Sequence, residues 1–421
     1  MSDQPPPDKT RDRRGRRLLR HARNFLITCV LLLGPNFVFF GKWYWPDQAL
    51  PEVPVKQDVQ QAAPGLPPQL AKSLAQALRD SRERAGLPSL SAAIAWNGQL
   101  QWAGATGLAD IERGMAASLR SRYRTGSVAK PITAVAMMRL VDAGKLSLDA
   151  PLSTYVEGLP AHLQPLTAKL LASHRAGVRH YSRVPAWWMG WHENYSTRQY
   201  DTVAAGLPMF VEDALRFEPG TGFQYTTFGY TLLSRQLEGA AGQSFPSLLR
   251  TLVFQPFGMV DTAVDTAAPM PGRVAFYQGK DGLYTPSYPI NSSYKIAGGG
   301  LVSTPSDLVR LGLALLGDDL VSTAAKRALW TPLALADGSM NSENYALGWR
   351  VDDSVRLLGK SRPVPILHHG GTQPGAAAFF VLLPEHGIVV AVMSNSGTSS
   401  ARAEVQESAY ALARLALARQ L

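Results

Sequence analysis

A serine and a lysine three positions apart are the residues of this chain best suited to covalent chemistry. Ser127 and Lys130 lie in the stretch Tyr-Arg-Thr-Gly-Ser-Val-Ala-Lys-Pro at residues 123–131. If a helix begins near Ser127, the Lys130 amine lies one turn later on the same face and reaches the serine hydroxyl. A serine attacks a carbonyl only when a neighbour accepts its proton, and a helix N-terminus offers N–H groups to the oxyanion. The pair therefore predicts a nucleophile and its base; a capping serine beside a solvated lysine is the alternative.

Further short motifs follow this pair along the chain. They occupy residues 144–149, 171–177, 225–230, 297–300 and 368–371. In this order and spacing, residues 70–420 resemble the serine β-lactamase-related family, which includes class C β-lactamases, D-alanyl-D-alanine peptidases and esterases. The segments SHRAGVRHY, FQYTTFGYTLL and NSSYKIAGGGLVST are most similar to the mitochondrial serine β-lactamase-like members and their bacterial relatives.

The resemblance implies roles for three residues. Ser127 is expected to form the acyl-enzyme, with Lys130 handling its proton. Tyr225 stands at the tyrosine of the family's Tyr-x-Asn element, which helps to move protons between the serine and the leaving group. A lysine ammonium nearby would favour the Tyr225 phenolate. A buried core tyrosine is the alternative.

The chain also departs from the family pattern. Thr227 stands where the family often has asparagine, so a substrate amide is expected to be bound differently or not at all. His368 stands at the lysine of the Lys-Thr-Gly strand and His369 at its threonine. Because a histidine is only partly charged near neutral pH, the resemblance implies weak β-lactam hydrolysis and a different substrate class.

Two glycines follow these histidines. Gly370 and Gly371 are expected to let the strand approach the substrate closely. The resemblance implies that the Gly371 N–H is the second oxyanion donor beside that of Ser127.

Metal, cofactor and nucleic-acid functions are not expected. His174 and His180 invite a metal hypothesis, but no further ligands join them at suitable spacing, and the resemblance makes His174 structural. Gly298, Gly299 and Gly300 lack the strand–turn–helix context of a dinucleotide site. Residues 1–23 carry half of the net charge of +10, and no basic stripe with aromatic residues follows. The expected partner is a small-molecule or peptide acyl substrate.

The N-terminal segment has the composition of a membrane anchor. We expect a basic cytoplasmic tail at residues 1–23, a transmembrane anchor at 24–46 that contains the single cysteine, Cys29, and a proline-rich linker at 47–68. A cleavable signal peptide is the alternative, although no small-x-small site follows the apolar run. The catalytic domain would then be extracytoplasmic, in the periplasm or at the cell surface.

Residues 69–421 form the expected hydrolase domain. Hydrophobic spacing predicts a helix at 70–85, a hairpin at 90–104 around Asn97-Gly98, a helix from Ser127 to Val141, a capped helix at 305–316, strands at 376–383 and 388–393, and a C-terminal helix at 401–421. Early and late strands with helices between them predict an α+β fold, an antiparallel sheet flanked by helices with a helical insertion.

The function expected from these features is that of a membrane-anchored serine hydrolase acting on amide or ester bonds, first as a peptidase or esterase. β-Lactamase or D,D-carboxypeptidase activity is the second hypothesis. A tethered binding or scaffold module that keeps the fold without turnover is the alternative from another class. The tryptophan-rich residues 183–196 are hypothesised to be a substrate-facing lid.

Overall fold

The fold is taken from a computed structural model, which describes residues 19–31, 34, 48–51, 57–181, 193–280, 282–317 and 320–420. The strands of the described residues are β1 (Gln48–Ala49), β2 (Val59–Ala62), β3 (Ser89–Trp96), β4 (Gln99–Asp110), β5 (Met115–Ala116), β6 (Tyr123–Arg124), β7 (Ala263–Val264), β8 (Tyr277–Lys280), β9 (Leu283–Pro286), β10 (Leu301–Ser303), β11 (Arg350–Ser354), β12 (Val364–Gln373), β13 (Ala376–Leu383) and β14 (Ile388–Ser394).

The α-helices lie between and after these strands. They are α1 (Pro68–Arg84), α2 (Ala129–Asp142), α3 (Ala168–Ala172), α4 (Val203–Gly206), α5 (Thr227–Ala241), α6 (Phe245–Leu249), α7 (Ile296–Gly299), α8 (Pro305–Leu316), α9 (Thr323–Trp330), α10 (Val355–Leu358) and α11 (Ser399–Gln420). Most of α3 to α6 belong to the helical insertion between the early and late strands.

One antiparallel sheet organises the domain. Its order is β11-β12-β13-β14-β3-β4-β2, with β5 paired to β4, so the C-terminal strands pair with the N-terminal hairpin. Successive side chains of a strand point to opposite faces, and both faces of this sheet are covered. Helices α1 and α11 cover one face, and α2, α5 and α8 belong to the larger core on the other. The fold is therefore α+β, as the sequence predicted.

Local sequence signals match the elements they predict. Asn97 and Gly98 both have positive φ, of 53° and 74°, as the tight turn between β3 and β4 requires. Thr304 accepts a hydrogen bond from the Asp307 N–H at 3.2 Å, with Pro305 in the first turn of α8. The predicted C-terminal helix is α11.

The predicted linker at residues 47–68 is partly folded. Strand β1 pairs with β9, and β2 pairs with β4 and forms the edge of the main sheet. Side chains support this pairing, because the Trp102 indole donates to Gln60 at 2.8 Å and Arg79 pairs with Asp58 at 2.6 Å. The composition of the segment gave no sign of this, because an added edge strand is defined by its partner's free N–H and C=O groups.

The predicted anchor at 24–46 lies largely outside the described residues. Residues 19–31 are helical, with Phe25, Leu26 and Leu31 exposed. Within the described residues, no helix has the length and apolar character needed to cross a membrane. Of the hypothesised lid, residues 183–192 also lie outside the described residues.

Candidate active site

Ser127 lies in a short turn at the start of α2. The residues Gly126–Val128 form a 3-10 turn, and the α-helix begins at Ala129 rather than at the serine. Gly126 has φ +49°, a conformation that a residue with a side chain rarely adopts. This turn places the Lys130 Nζ 3.1 Å from the Ser127 Oγ, within hydrogen-bonding distance.

Lys130 is fully buried and surrounded by oxygens and rings. Its Nζ lies 2.8 Å from the Gly298 carbonyl oxygen and 3.4 Å from the Thr227 hydroxyl. The Tyr225 ring centroid lies 4.6 Å away. No carboxylate pairs with Lys130 in the described part of the chain.

The environment favours the neutral form of this amine. Burial lowers the pKa of Lys130 well below its usual range, and the positive charges of Arg350 and Lys295 lower it further. A neutral amine has a lone pair that can accept the serine proton. Lys130 is therefore a candidate general base as well as a neighbour of the nucleophile.

Tyr225 contacts the same hydroxyl. Burial raises the pKa of Tyr225 above its usual range and outweighs the opposite effect of the Ser127 hydroxyl. The expected phenolate is thus not supported, since Lys130 carries no stable positive charge to favour it. Tyr225 is a phenol at neutral pH and can donate a proton to a leaving group.

The two histidines of β12 face opposite sides of the sheet. His369 is buried on the nucleophile's side, where its Nε2 lies 3.0 Å from the Tyr345 hydroxyl and its ring centroid 6.1 Å from that of Tyr225. His368 packs against Phe379 on the α11 side, and its Nε2 lies 2.6 Å from an Asp352 oxygen. The sequence predicted that His368 would contact the substrate. In the structure His369 lies on that side of the strand.

His369 is neutral in this environment. Burial lowers the pKa of His369 well below its usual range, and Arg350 and Lys130 lower it further. Its Nδ1 lies 2.6 Å from the Gly370 carbonyl oxygen and so carries the proton. The residue can orient Tyr345 or a substrate oxygen but supplies no permanent charge.

The strand register also corrects the second oxyanion donor. Val351 donates its N–H to Asn344, away from β12, so Arg350 and its partner His368 form a hydrogen-bonded pair. Alternation along β12 then directs the Gly371 N–H towards Ala378 in β13. The Thr372 N–H points to the open side, 2.5 Å from where a Cβ on Gly126 would lie. The candidate donors are therefore the N–H groups of Ser127 and Thr372.

Gly371 has a different role at this strand. A Cβ there would lie 2.0 Å from the Thr125 carbonyl oxygen, so only glycine allows β12 to approach the Ser127 turn. A Cβ on Gly370 would meet only Phe379, at 3.8 Å. The expected close approach of the strand is thus a property of Gly371.

Thr227, His174 and His180 support the site from the other side. Thr227 opens α5 with its hydroxyl towards Lys130 and donates its N–H to the His180 Nδ1 at 3.2 Å. His174 has φ +61°, and its ring lies 4.3 Å from that of Tyr225. The structure places His174 as a support for Tyr225. Within the described ranges, no cluster of three or more His, Cys, Asp or Glu side chains could hold a metal.

Arg350 is a site residue that the sequence reasoning missed. Its guanidinium lies 5.4 Å from the Tyr225 ring centroid, pairs with Glu343, and contributes to the lowered pKa of Lys130. It follows Gly348-Trp349 at the start of β11, and a single arginine there gave no signal beyond a strand.

These residues line a cavity of about 630 Å³. Its walls include the nucleophile, part of β12 and the first two turns of α11: Ser127, His180, Tyr225, Arg350, His368, His369, Gly370, Thr372, Ala378, Phe379, Ser399, Arg402, Ala403 and Gln406. The cavity is open to solvent on the α11 side, where Arg402 is exposed.

The pH profile should show which residue acts as the base. Lys130 must be neutral to accept the proton, so kcat/KM should rise with pH through its lowered pKa and then be level. It should not fall until well above pH 9, because the pKa of Tyr225 is raised from about 10. The measurement is kcat/KM of a short-chain nitrophenyl ester between pH 4.5 and 9.5. A profile falling between pH 7 and 9 would contradict these protonation states.

The two histidines form a matched pair for mutagenesis. His369→Ala should lower kcat/KM by about tenfold or more, because His369 faces the nucleophile and contacts Tyr345. His368→Ala should change it by less than about threefold, since that side chain lines the α11 side of the cavity against Phe379 and points away from the nucleophile. Equal losses in the two variants would show that the assignment of faces is wrong.

A hydroxyl beside a buried neutral amine and a phenol, with two N–H groups for an oxyanion, defines a serine hydrolase that works by acyl transfer. The chain belongs to the Beta-lactamase family, whose model matches residues 74–415. The family resemblance of the motifs is thereby confirmed, as is the class of enzyme.

Curated relatives agree with this assignment. The chain is 26% identical to the mitochondrial serine beta-lactamase-like protein LACTB of Homo sapiens, over 82% of this chain and 81% of that protein. It is 30% identical to the esterase EstB of Burkholderia gladioli, over 50% of this chain and 56% of that protein.

Solved structures share the fold. The penicillin binding protein from Bacillus halodurans superposes with a TM-score of 0.66 at 24% identity, covering 80% of this chain and 98% of that one. The D-amino acid amidase from Ochrobactrum anthropi gives a TM-score of 0.69 at 21% identity, over 84% of this chain and 100% of that one.

Proposed function

We propose that this protein hydrolyses amide or ester bonds through an acyl-enzyme on Ser127, as a peptidase or esterase. The observation that carries the proposal is the buried Lys130 amine, 3.1 Å from the Ser127 hydroxyl and with a pKa well below its usual range. Such an amine activates a serine without any metal or cofactor.

The reaction follows from the positions of these groups. The Ser127 oxygen attacks the carbonyl carbon while its proton passes to Lys130. The N–H groups of Ser127 and Thr372 stabilise the oxyanion. Tyr225 then donates its proton to the departing nitrogen or oxygen and is reprotonated by the Lys130 ammonium. Water repeats the sequence in reverse on the acyl-enzyme, releasing the acid and restoring the serine.

The relatives support amide and ester substrates. Their names include an esterase, a D-aminopeptidase and penicillin-binding proteins. His369, buried and neutral, replaces a permanently charged lysine at the substrate strand, which weakens the case for efficient β-lactam hydrolysis. β-Lactamase or D,D-carboxypeptidase action remains the second candidate, favoured by the arginines of the cavity wall, which suit a substrate carboxylate.

The charge of the cavity favours an anionic substrate. Arg350 and Arg402 line it, and no carboxylate does so in the described part of the chain. Arg350 already pairs with Glu343, whereas the exposed Arg402 has no carboxylate partner among the described residues. Arg402 is therefore the group that we expect to attract a negative charge at the cavity entrance.

An Arg402→Gln variant tests this expectation. It should lower kcat/KM for 4-nitrophenyl hemisuccinate by about three- to fivefold, the size expected of an exposed ion pair. The value for 4-nitrophenyl acetate, which lacks the carboxylate, should stay within about 1.5-fold, and added salt should reduce the difference between the two esters. Equal changes with both esters would rule out charge recognition by Arg402.

The reaction itself is tested by intact mass spectrometry. The protein is incubated with a D-peptide amide library, short-chain esters and a penicillin, and the retained acyl groups are weighed. We expect ester and amide acyl groups on wild-type protein and none on Ser127→Ala. A folded wild-type protein that retains no acyl group and does not react with a fluorophosphonate would favour the non-catalytic alternative.

We also propose that residues 24–46 anchor the protein in a membrane with the catalytic domain outside the cytoplasm. The exposed apolar side chains of Phe25, Leu26, Ile27, Val30 and Leu31 support this proposal. The full chain should remain in the membrane fraction after an alkaline carbonate wash, and a chain starting at residue 57 should not. Release of both by the wash would contradict the anchor.

A further inference from the structure

A second fully buried lysine lies close to the site. Lys295, which is 1% exposed, directly precedes α7, the helix whose Gly298 carbonyl oxygen contacts the Lys130 Nζ at 2.8 Å. Its own Nζ donates to the Asn194 side-chain oxygen at 2.9 Å and lies 3.4 Å from the Asn194 carbonyl oxygen. Lys295 takes no part in the acyl-transfer reaction proposed for Ser127, Lys130 and Tyr225.

The surroundings of Lys295 can hold an ammonium, whereas the Lys130 amine shares the Tyr225 ring with the permanently charged Arg350 guanidinium. The Tyr294 and Tyr181 ring centroids lie 5.3 Å and 5.7 Å from the Lys295 Nζ, in range for cation–π contact. Two oxygens of Asn194 accept from the amine. The Lys130 amine instead points at a hydroxyl that must give up a proton.

The other charged groups near Lys295 are already paired. Glu193, from the neighbouring segment, forms a two-armed ion pair with Arg179. Asp265 pairs with Arg124 at 2.7 Å. Neither Lys295 nor Lys130 has a carboxylate partner in the described residues. Two positive charges in one buried region without counterions repel strongly, so a proton on one amine disfavours a proton on the other.

We propose that Lys295 is a positioning residue that acts through Lys130: the two buried amines share one proton, which Lys295 holds, so that Lys130 keeps the lone pair for the serine proton. This inference rests on the proposed function. It assigns Lys295 no contact with substrate, and it explains why a cation is buried beside a base that must stay neutral.

Electrostatic repulsion couples the two amines, because a charge on Lys295 lowers the pKa of Lys130. Burial lowers the pKa of Lys295 to about 7, with Arg124 lowering it and Asp265 raising it, while the pKa of Lys130 lies well below its usual range. As the pH falls through 7, Lys295 takes up a proton. Its charge then opposes protonation of Lys130, so the enzyme keeps its base at lower pH than it would without Lys295.

The test is the pH profile of acylation. Lys295→Met should move the acidic limb of kcat/KM up by about one pH unit, a loss approaching about tenfold at the acidic end of that limb, because Lys130 loses the charge of Lys295. At pH 9, where both amines are neutral in the wild type, the two proteins should agree within about twofold. Lys295→Arg, which keeps the charge, should leave the limb in place or move it down.

Two further variants make the test decisive. Lys326→Met removes another buried lysine, which lies in α9 and whose Nζ donates to the Gly317 carbonyl oxygen. This variant should leave the pH profile unchanged. Asn194→Ala leaves Lys295 but removes its side-chain acceptor, and should move the limb in the same direction by a smaller amount. This variant decides the question if Lys295→Met does not fold.

A limb that stays in place in folded Lys295→Met, or in Asn194→Ala when only that variant folds, would overturn the proposal. So would an equal loss at every pH, which is what a purely structural role produces. Failure of the proposed function looks different, because the wild-type protein itself would then show no Ser127-dependent turnover at any pH.

Discussion

Replacement of Ser127 by alanine is expected to abolish turnover. Ester hydrolysis by Ser127→Ala should fall by at least about 10³-fold, because the variant loses the only atom that forms the acyl-enzyme while keeping the oxyanion donors. The measurement is the initial rate with a short-chain nitrophenyl ester at pH 8, with circular dichroism to verify the fold.

Ser399→Ala is the matched control. Ser399 lines the same cavity from the first residue of α11 but makes no contact with Lys130. Its rate should stay within about twofold of the wild type. A Ser127→Ala protein that retains more than a tenth of the activity would show that another residue is the nucleophile.

Replacement of Lys130 should lower turnover nearly as much as replacement of Ser127. Lys130→Met keeps the length and the apolar contacts of the side chain but removes the amine that takes the serine proton, and kcat should fall by about 10²- to 10⁴-fold. Because a buried amine without a carboxylate partner in the described residues is replaced by an apolar side chain, the variant should be at least as stable to heat as the wild type.

A Lys130→Arg variant separates charge from basicity. Arginine stays protonated and cannot accept a proton, so it should be as inactive as Lys130→Met. Activity in the arginine variant near that of the wild type would mean that positive charge, and not a free lone pair, is what the reaction needs. Single-turnover acylation rates at pH 8 measure the difference.

The sequence identified the nucleophile and the elements around it. Ser127 and Lys130 are three apart in one chain segment, so local helical geometry sufficed to place them together. The strong turn at Asn97-Gly98 and the capped start of α8 were predictable for the same reason. Tyr225 needed the family motif, because almost a hundred residues separate it from Ser127.

The predictions that the structure corrects concern residues whose orientation depends on strands distant in sequence. Whether His368 or His369 faces the nucleophile depends on the register of β12 against β11 and β13, as does the choice of Thr372 over Gly371. A shift by one residue exchanges the two faces of a strand. The spacing of His369 and Gly371 also fits a His-x-Gly motif, and it is the signal that could have favoured His369.

Protonation states were also beyond the sequence. An exposed lysine beside a tyrosine would have favoured a phenolate, but burial lowers the pKa of Lys130 and raises that of Tyr225. Burial of a charged side chain depends on the whole fold. The burial of Lys295 was missed for the same reason, although the residue lies within a recognised motif. Its position between Tyr294 and the apolar Ile-Ala-Gly run was a signal of burial.

The most direct test of the account is the site and pH dependence of covalent labelling. The wild-type protein is treated with a fluorophosphonate between pH 5 and 9, digested, and mapped by mass spectrometry. We predict one adduct, on the Ser127 hydroxyl. The labelling rate should rise with pH as Lys130 loses its proton and should then be level to pH 9. An adduct on another residue, or a rate that does not depend on pH over the acidic range, would contradict it.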